Sequence, residues 1–379
     1  MNSNIRIYSP DKFGFYQVGE YRTYSRIEAT EFAIKNKNDI HWNYNDEVFS
    51  KVNFSKEIDI PLNELYKLRC RQIRNSYDYV VLFYSGGSDS HNMLMQWINS
   101  ECKLDEVATL VSLEGSKVKD SYANIEQYTV AIPNIITLSE KYKFDYTVID
   151  FSKFIMNYLS TNDRHEHILY DMNFNISPNN IAKSLLRYNV DKWKNLIVSG
   201  KKVCFLWGME KLVFNNKDGK NYLTFNDAYD NVVSPIVQRN YNNGWYDEFF
   251  CISPDLPELM IKQCNIINNF FKIRNTNLYS ILSYYQQKPS SRGYNKSLNL
   301  YLSDIGYQKL MYPYWDVNTF STGKSPSTSK SRLDDWIWDG NMIQKDIFLS
   351  SYDNFQTKLT EYNDNKFSEK FISTNEYII

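Results

Sequence analysis

The stretch of this sequence best suited to chemistry is Ser85-Gly86-Gly87-Ser88-Asp89-Ser90. Gly86 and Gly87 allow backbone angles that residues with a Cβ resist, so their N–H groups can point to one side of a loop. Together with the three serine hydroxyls, such N–H groups form a cradle for a phosphate. Asp89 would repel a bare phosphate, but its carboxylate fits if Mg²⁺ lies between it and the phosphates. The loop therefore predicts a phosphate site whose metal ligand is Asp89.

The residues on either side of this loop predict the elements that hold it. Tyr79 to Tyr84 is an uninterrupted aromatic and aliphatic run, which is typical of a buried strand in a parallel sheet. After Asp89, the apolar residues Met93, Leu94 and Trp97 recur at helical spacing. A helix that begins at the loop would add its free N–H groups and positive dipole end to the phosphate site. A capped strand-to-helix turn without a ligand is the alternative interpretation.

The loop resembles the Ser-Gly-Gly-x-Asp-Ser signature of the PP-loop (N-type) ATP pyrophosphatases. This superfamily includes asparagine, argininosuccinate, GMP and NAD synthetases, tRNA-modifying synthetases and PAPS reductases. The resemblance extends over roughly residues 79 to 217. It implies an α/β fold of the HUP-like type, in which helices flank a parallel sheet. It also implies binding of ATP with Mg²⁺, cleavage between the α and β phosphates, an adenylated substrate, and catalytic roles for Ser85 and Asp89.

Two later strands predict further residues of the same site. The run from 106 to 114 predicts the second strand, and the resemblance implies that the backbone of Val111, Ser112 and Leu113 lies beside the adenine. The run from 202 to 211 predicts a fourth strand that ends in a turn at Gly208. Ligands of open α/β sheets collect at such carboxyl ends. We therefore expect Gly208 to lie beside the nucleotide.

Three charged residues are weaker candidates for the site. Asparagine synthetases carry an acidic pair after the fourth strand, whereas this chain has only Glu210, followed by Lys211. Glu210 could position a metal or an amine nucleophile and Lys211 could hold pyrophosphate, but a surface ion pair is equally compatible. Lys324 lies in the hydroxyl-rich basic stretch 321–332, which lacks the first glycine of a Walker loop. This stretch is either a loop that closes over pyrophosphate or a surface loop without function.

Composition excludes several classes of protein and predicts three domains. With 43 basic and 44 acidic side chains among 379 residues, the chain has no net charge that would indicate a nucleic-acid partner. Its five cysteines include no C-x-x-C pair, which argues against a zinc or redox site and suggests a reducing cytoplasm. No apolar run approaches the ~18 residues of a membrane span. We expect an α+β cap at 1–60, the ATP-binding domain at 61–220 and a mainly helical or irregular substrate and lid region at 221–379, with a peripheral tail.

The reaction is predicted by exclusion. Sulfur-transferring relatives depend on cysteines that have no counterpart here, and position 2 is Asn rather than the catalytic cysteine of a fused glutaminase. Nitrogen would then come from free ammonia, an amine substrate or a separate protein. The favoured function is an ATP-dependent synthetase that adenylates a small-molecule acid, releases pyrophosphate and forms an amide or C–N bond with an amine. A nucleotide-base or tRNA-modifying enzyme and a non-catalytic ATP-binding regulator are the alternatives.

Overall fold

The computed structural model describes residues 9–117, 124–161, 170, 179–208, 212–217, 220–227, 233–241, 243–273, 311–314, 350, 357, 361 and 372–379. Its strands are β1 Phe15–Val18, β2 Tyr21–Thr23, β3 His41–Asn43, β4 Tyr79–Phe83, β5 Glu106–Val111, β6 Asp145–Asp150, β7 Val203–Trp207, β8 Val213–Lys217, β9 Lys220–Thr224, β10 Trp245–Phe249 and β11 Tyr377–Ile378. Its α-helices are α1 Arg26–Asn36, α2 Asp46–Phe49, α3 Leu62–Arg74, α4 Ser88–Asn99, α5 Ile132–Tyr142, α6 Ser152–Thr161, α7 Asn179–Asn189, α8 Asp191–Val198, α9 Pro235–Arg239 and α10 Pro257–Ile273.

The fold is built around a five-stranded sheet in which all neighbouring strands are parallel. The strand order is β10-β7-β4-β5-β6. From the central β4 the chain adds β5 and β6 on one side, and then returns across β4 to add β7 and β10 on the other. The strand order thus reverses between β4 and β7, which defines the topological switch point of the sheet. The sequence also predicts a third strand at 144–150. The α/β class and the four strands predicted at 79–84, 106–114, 144–150 and 202–211 are confirmed.

The central strands are apolar because both of their faces are covered. Val80, Val81 and Leu82 are fully buried, as is nearly all of β7. At the carboxyl ends of β4 and β7, the rings of Phe83 and Trp207 stack with their centroids 3.9 Å apart. Such burial removes most of the apolar surface of both strands from water, which is the main favourable contribution to folding.

The amino-terminal residues fold as a three-stranded antiparallel sheet in the order β2-β1-β3, against which α1 packs. Ser25 caps α1, since its hydroxyl accepts a hydrogen bond from the N–H of Glu28 at 3.5 Å. The sequence predicts a hairpin at 15–24, a helix capped by Ser25 and a strand at 40–44, and the structure has all three.

The sequence predicts one helix with a bent entry, or two short helices, over 124–143 and a helix over 171–200, and the structure differs from both in detail. A π-helical turn at Gln127–Ala131 leads directly into α5, where Pro133 occupies the first turn and no intrahelical N–H is needed. The single helix predicted for 171–200 is two helices, α7 and α8, separated at Val190, and residues 171–178 lie outside the described part of the chain.

The fifth strand, β10, was not predicted. It pairs with β7 in parallel, so the central sheet continues beyond the domain boundary expected at residue 220. The sequence of this strand, Trp-Tyr-Asp-Glu-Phe, carries two adjacent acids and lacks the apolar run that marked the other strands. Both acids, Asp247 and Glu248, are nonetheless buried. Because two adjacent acids are not typical of a buried strand, the sequence did not indicate this one. Ion pairs with basic side chains explain how both acids can be buried.

Adjacent side chains of a strand point to opposite faces, so each acid of β10 meets a different helix. Asp247 pairs with Arg187 of α7, while the indole N–H of Trp207 donates to its other oxygen at 2.8 Å. On the opposite face, Glu248 accepts from Arg69 of α3 at 2.9 Å and from Lys12 at 2.8 Å. Helices therefore cover both faces of the sheet, and buried ion pairs attach them to its edge.

The end of the chain is also part of the fold rather than a peripheral tail. Strand β11 pairs with β9 in a second antiparallel sheet of order β11-β9-β8. The ring of Tyr377 packs against Phe49 and Phe225, and its hydroxyl donates to Asp46 at 2.8 Å. Among the residues that the structure describes, no helix is long and apolar enough to cross a membrane.

Candidate functional site

The glycine loop lies at the carboxyl end of β4 and leads directly into α4. Gly86 has a φ of +83°, which is the left-handed conformation that its sequence position predicted. Gly87 is the N-cap of α4, and its carbonyl accepts the N–H of His91 at 2.9 Å. Because Gly87 has no side chain, it cannot itself cap the first turn of α4. Helix N-termini of this kind attract anions.

The hydroxyl groups of the loop hold its shape. The hydroxyl of Ser90 accepts the N–H of Ser85 at 3.1 Å and donates to the carbonyl of Gly87 at 3.1 Å. The N–H of Gly87 points to the hydroxyl of Ser85 at 3.4 Å. Ser88 and Ser90 are buried, whereas Ser85 is exposed. The hydroxyl of Ser85 also lies 3.2 Å from that of Ser90. Both hydroxyls, and the N–H groups of Ser85 and Gly87, therefore have partners within the loop.

Two close contacts fix the loop between neighbouring elements. A Cβ on Gly208 would lie 3.2 Å from the carbonyl carbon and oxygen of Asp89 and from the Cα of Ser90. A Cβ on Gly86 would lie 3.1 Å from Val130 and 3.2 Å from the backbone nitrogen of Ala131. The end of β7 thus touches the first turn of α4, whereas the place of Gly208 beside a nucleotide stays a prediction. The loop occupies the switch point of the sheet.

Asp89 lies half-buried in the first turn of α4. Burial raises the pKa of Tyr312, and the charge of Asp89 acts in the same direction. Over the described ranges, no group of three or more His, Cys, Asp or Glu side chains is arranged to hold a metal ion. Mg²⁺ that binds with nucleotides commonly uses one or two carboxylates, and the phosphates and water complete its shell. A single carboxylate beside a phosphate loop fits that mode, with Asp89 as the ligand from the protein.

The predicted adenine edge lies next to the loop, but its backbone groups already have partners. Val111 ends β5, and Ser112 and Leu113 follow it. The side chain of Asn124 accepts the N–H of Ser112 at 2.6 Å and donates to its carbonyl at 2.7 Å. The N–H of Leu113 donates to Asp150 at 3.1 Å. A base could use the polar groups of Ser112 only after Asn124 has moved away.

Behind the loop, two buried side chains connect β4 to α4. The hydroxyl of Tyr84 lies 3.0 Å from Nδ1 of His91 and accepts from Asn134 at 3.2 Å. Burial lowers the pKa of His91 to about 4, although a hydrogen bond to the backbone of Tyr314 acts in the opposite direction. His91 is therefore neutral at pH 7 and has a supporting position. The sequence around His91 did not predict this role.

Glu210, Lys211 and Lys324 lie outside the described residues, so their roles stay predictions. A polar cavity of about 510 Å³ lies elsewhere, beside β2. Its charged side chains neutralise each other, with Arg22 and Asp11 at 2.8 Å and Arg239 and Glu28 at 2.8 Å. The loop at the switch point is therefore the better candidate for the functional site.

No protein-family model matches the chain. No curated protein matches it either. The functional assignment therefore depends on the fold and on the geometry of the loop.

Proposed function

We propose that the central sheet and its helices form a nucleotide-binding domain of the PP-loop type, and that the protein is an ATP-dependent synthetase. The observation that carries this proposal is the position of the glycine loop. It joins the central strand to a helix N-terminus at the switch point, where ligands of open α/β sheets bind. The left-handed Gly86 and the close approach of Gly208 give the loop the small residues that this position needs.

In the proposed reaction, a carboxylate oxygen of the substrate attacks the α-phosphorus of ATP and pyrophosphate leaves. An amine then attacks the carbonyl carbon of the acyl adenylate. The C–O bond to AMP breaks with its electron pair, and the amine loses one proton to water. Mg²⁺ would neutralise charge on the leaving pyrophosphate. The protein positions the triphosphate with the loop and the N-terminus of α4, and Asp89 holds the cation.

The test measures AMP and pyrophosphate formation by the purified full-length chain with ATP, Mg²⁺ and pooled small acids and amines. We expect turnover with at least one acid–amine pair. Asp89→Ala should abolish Mg²⁺-dependent turnover and retain the fold. Asp39→Ala, which removes an exposed carboxylate after α1, is the matched control and should keep full activity.

Each other outcome contradicts part of the proposal. ATP binding without AMP formation from any pair would indicate the non-catalytic regulator. Salt-sensitive RNA binding with turnover on RNA would indicate a base-modifying enzyme. Full activity of Asp89→Ala would remove this carboxylate from the mechanism, and a wild-type protein that does not bind ATP would overturn the proposal.

A further inference from the structure

The side chain of Asn124 occupies the backbone groups of Ser112 at the end of β5. Its carboxamide oxygen accepts the N–H of Ser112 at 2.6 Å, and its NH₂ group donates to the carbonyl of the same residue at 2.7 Å. The NH₂ group also donates to the hydroxyl of Ser116 at 2.7 Å. Asn124 is 1% exposed and Ser112 is 0% exposed, whereas the neighbouring Leu113 is 42% exposed. The carboxamide therefore satisfies both groups of Ser112 just below the surface of the protein.

Adenine presents the same pair of groups as this carboxamide. On the edge of the base, an amino donor lies beside an acceptor nitrogen. This pair is the complement of one N–H and one C=O group. Those of Ser112 follow β5, which is the strand next to the one that carries the glycine loop. Ligands of open α/β sheets bind at this edge. Ser112 thus has the groups that adenine needs, and Asn124 uses both of them.

The segment that carries Asn124 also touches the glycine loop. Asn124 lies three positions before the π-helical turn Gln127–Ala131. Near the end of this turn, Val130 would lie 3.1 Å from a Cβ on Gly86. The chain from Asn124 to Val130 spans about 9 Å at the rise of an α-helix. The groups of Ser112 and the loop therefore lie within reach of one nucleotide, whose ribose separates the base from the phosphates.

We infer that Asn124 is an internal substitute for the base, and that its carboxamide holds the groups of Ser112 until adenine displaces it. This inference rests on the proposed function. Asn124 has a φ of +66°, a left-handed conformation that is uncommon outside glycine and that Asn adopts more readily than most residues. The π-helical turn after it is also of a kind that is frequent at functional sites. Displacement opposes ATP binding, because the hydrogen bonds of Asn124 must break before the base can form its own.

The chain offers a matched control for this carboxamide. Asn265, in α10, is also buried, and it accepts the N–H of Ile58 at 3.1 Å and donates to the carbonyl of Lys56 at 2.9 Å. Asn124→Gly and Asn265→Ala therefore each remove a buried carboxamide that bonds to two backbone groups. Glycine suits the left-handed backbone at position 124, and Asn124→Ala is the second variant there. A purely structural role would lower the stability of all three variants without raising the affinity for a ligand.

Calorimetry measures the binding of ATP and of inorganic tripolyphosphate, each with Mg²⁺, to the full-length chain. For both Asn124 variants we expect the ATP affinity to rise at least about fivefold, because the carboxamide no longer competes for Ser112. Tripolyphosphate has no base, so its affinity should change less than about twofold. Asn265→Ala should bind both ligands as the wild-type protein does.

Hydrogen exchange gives an independent measurement at the same backbone group. The N–H of Ser112 should exchange faster in the Asn124 variants than in the wild-type protein, since its acceptor has been removed. ATP should restore the protection of this N–H, whereas tripolyphosphate should not. Thermal unfolding verifies that each variant retains the fold.

Four results would overturn the inference. Unchanged or weaker ATP binding in a folded Asn124 variant would mean that the carboxamide is only structural. An equal rise for ATP and tripolyphosphate would mean that it blocks the loop rather than the base. A rise in Asn265→Ala as well would attribute the gain to general loosening of the fold. These three results leave the proposed function standing. If the wild-type protein binds no ATP, the proposed function fails first and this inference fails with it.

Discussion

Substitution by alanine should affect protein stability differently at the two glycines of the loop. Gly86 has a left-handed backbone, for which a residue with a Cβ incurs about 1–2 kcal/mol. Its new methyl would also lie 3.1 Å from Val130 and 3.2 Å from the backbone of Ala131. Crowding of a packed site adds about 1–3 kcal/mol. We therefore expect Gly86→Ala to lower the free energy of unfolding by about 2–5 kcal/mol.

Gly87 has room for the methyl group in the folded protein. Its φ of −77° suits any residue, and a Cβ would meet the hydroxyl oxygen of Ser85 at 3.5 Å, an ordinary contact. Alanine is a poorer N-cap than glycine, but it also reduces the entropy of the unfolded chain by a comparable amount. The free energy of unfolding of Gly87→Ala should stay within about 0.5 kcal/mol of wild type. Its ATP affinity should nevertheless fall, because the methyl projects where phosphate would approach.

Urea unfolding followed by circular dichroism measures the stability of both variants, and calorimetry measures their affinity for ATP with Mg²⁺. An unchanged m-value is needed to assign a midpoint shift to stability. Equal stability losses in the two variants would refute the loop geometry. Wild-type ATP affinity in Gly87→Ala would show that phosphate does not approach this side of the loop.

Three further predictions test the surroundings of the site. Because burial lowers the pKa of His91 from 6.5 to about 4, the unfolded chain binds this proton first as pH falls. His91 should therefore lower the free energy of unfolding by about 2.5 kcal/mol between pH 7 and about pH 4.5. In His91→Gln this contribution should be absent, as measured by urea unfolding of the metal-free protein over that pH range. Glu248→Gln removes the counter-ion of the buried Lys12 and leaves the buried Arg69 with only the more distant Asp255 at 3.8 Å, so it should lower the unfolding free energy by about 3 kcal/mol; a loss below about 1 kcal/mol would contradict this. Asn124→Ala removes three hydrogen bonds and should lower the free energy of unfolding by about 2 kcal/mol, which is seen as a lower thermal midpoint. Asn124 has a φ of +66°, a conformation that glycine adopts without strain, so Asn124→Gly should show the same loss if the hydrogen bonds are its cause.

The glycine loop and the strands beside it could be predicted because their signals are local. Each signal is contained in a short stretch of sequence: a continuous apolar run, two adjacent glycines and an apolar helix face. The place of Gly208 at the same edge of the sheet as the loop could also be predicted, since parallel strands bring their carboxyl ends to one edge. These signals were sufficient for the α/β class and for the place of the glycine loop between a strand and a helix.

The parts that were missed depend on partners far away in the sequence. The two acids of β10 predict an exposed segment unless Arg69 and Arg187 are known to face them. The hydrogen bonds of Asn124 to Ser112 and of Tyr84 to His91 leave no periodic pattern. Side chains of this kind are recognised only after the fold has brought them together.

The residues after 220 determine whether the earlier part of the chain can work as one unit. Strand β10 covers the edge of β7 and supplies the counter-ions of the buried Arg69 and Arg187. Without it, Arg187 would lose its carboxylate partner Asp247, and Arg69 would keep only the more distant carboxylate of Asp255 at 3.8 Å. Burying an arginine without a close carboxylate costs several kcal/mol. The central sheet therefore extends beyond the region from about 79 to 217 that resembles a known family, and a strand that follows residue 220 completes its edge.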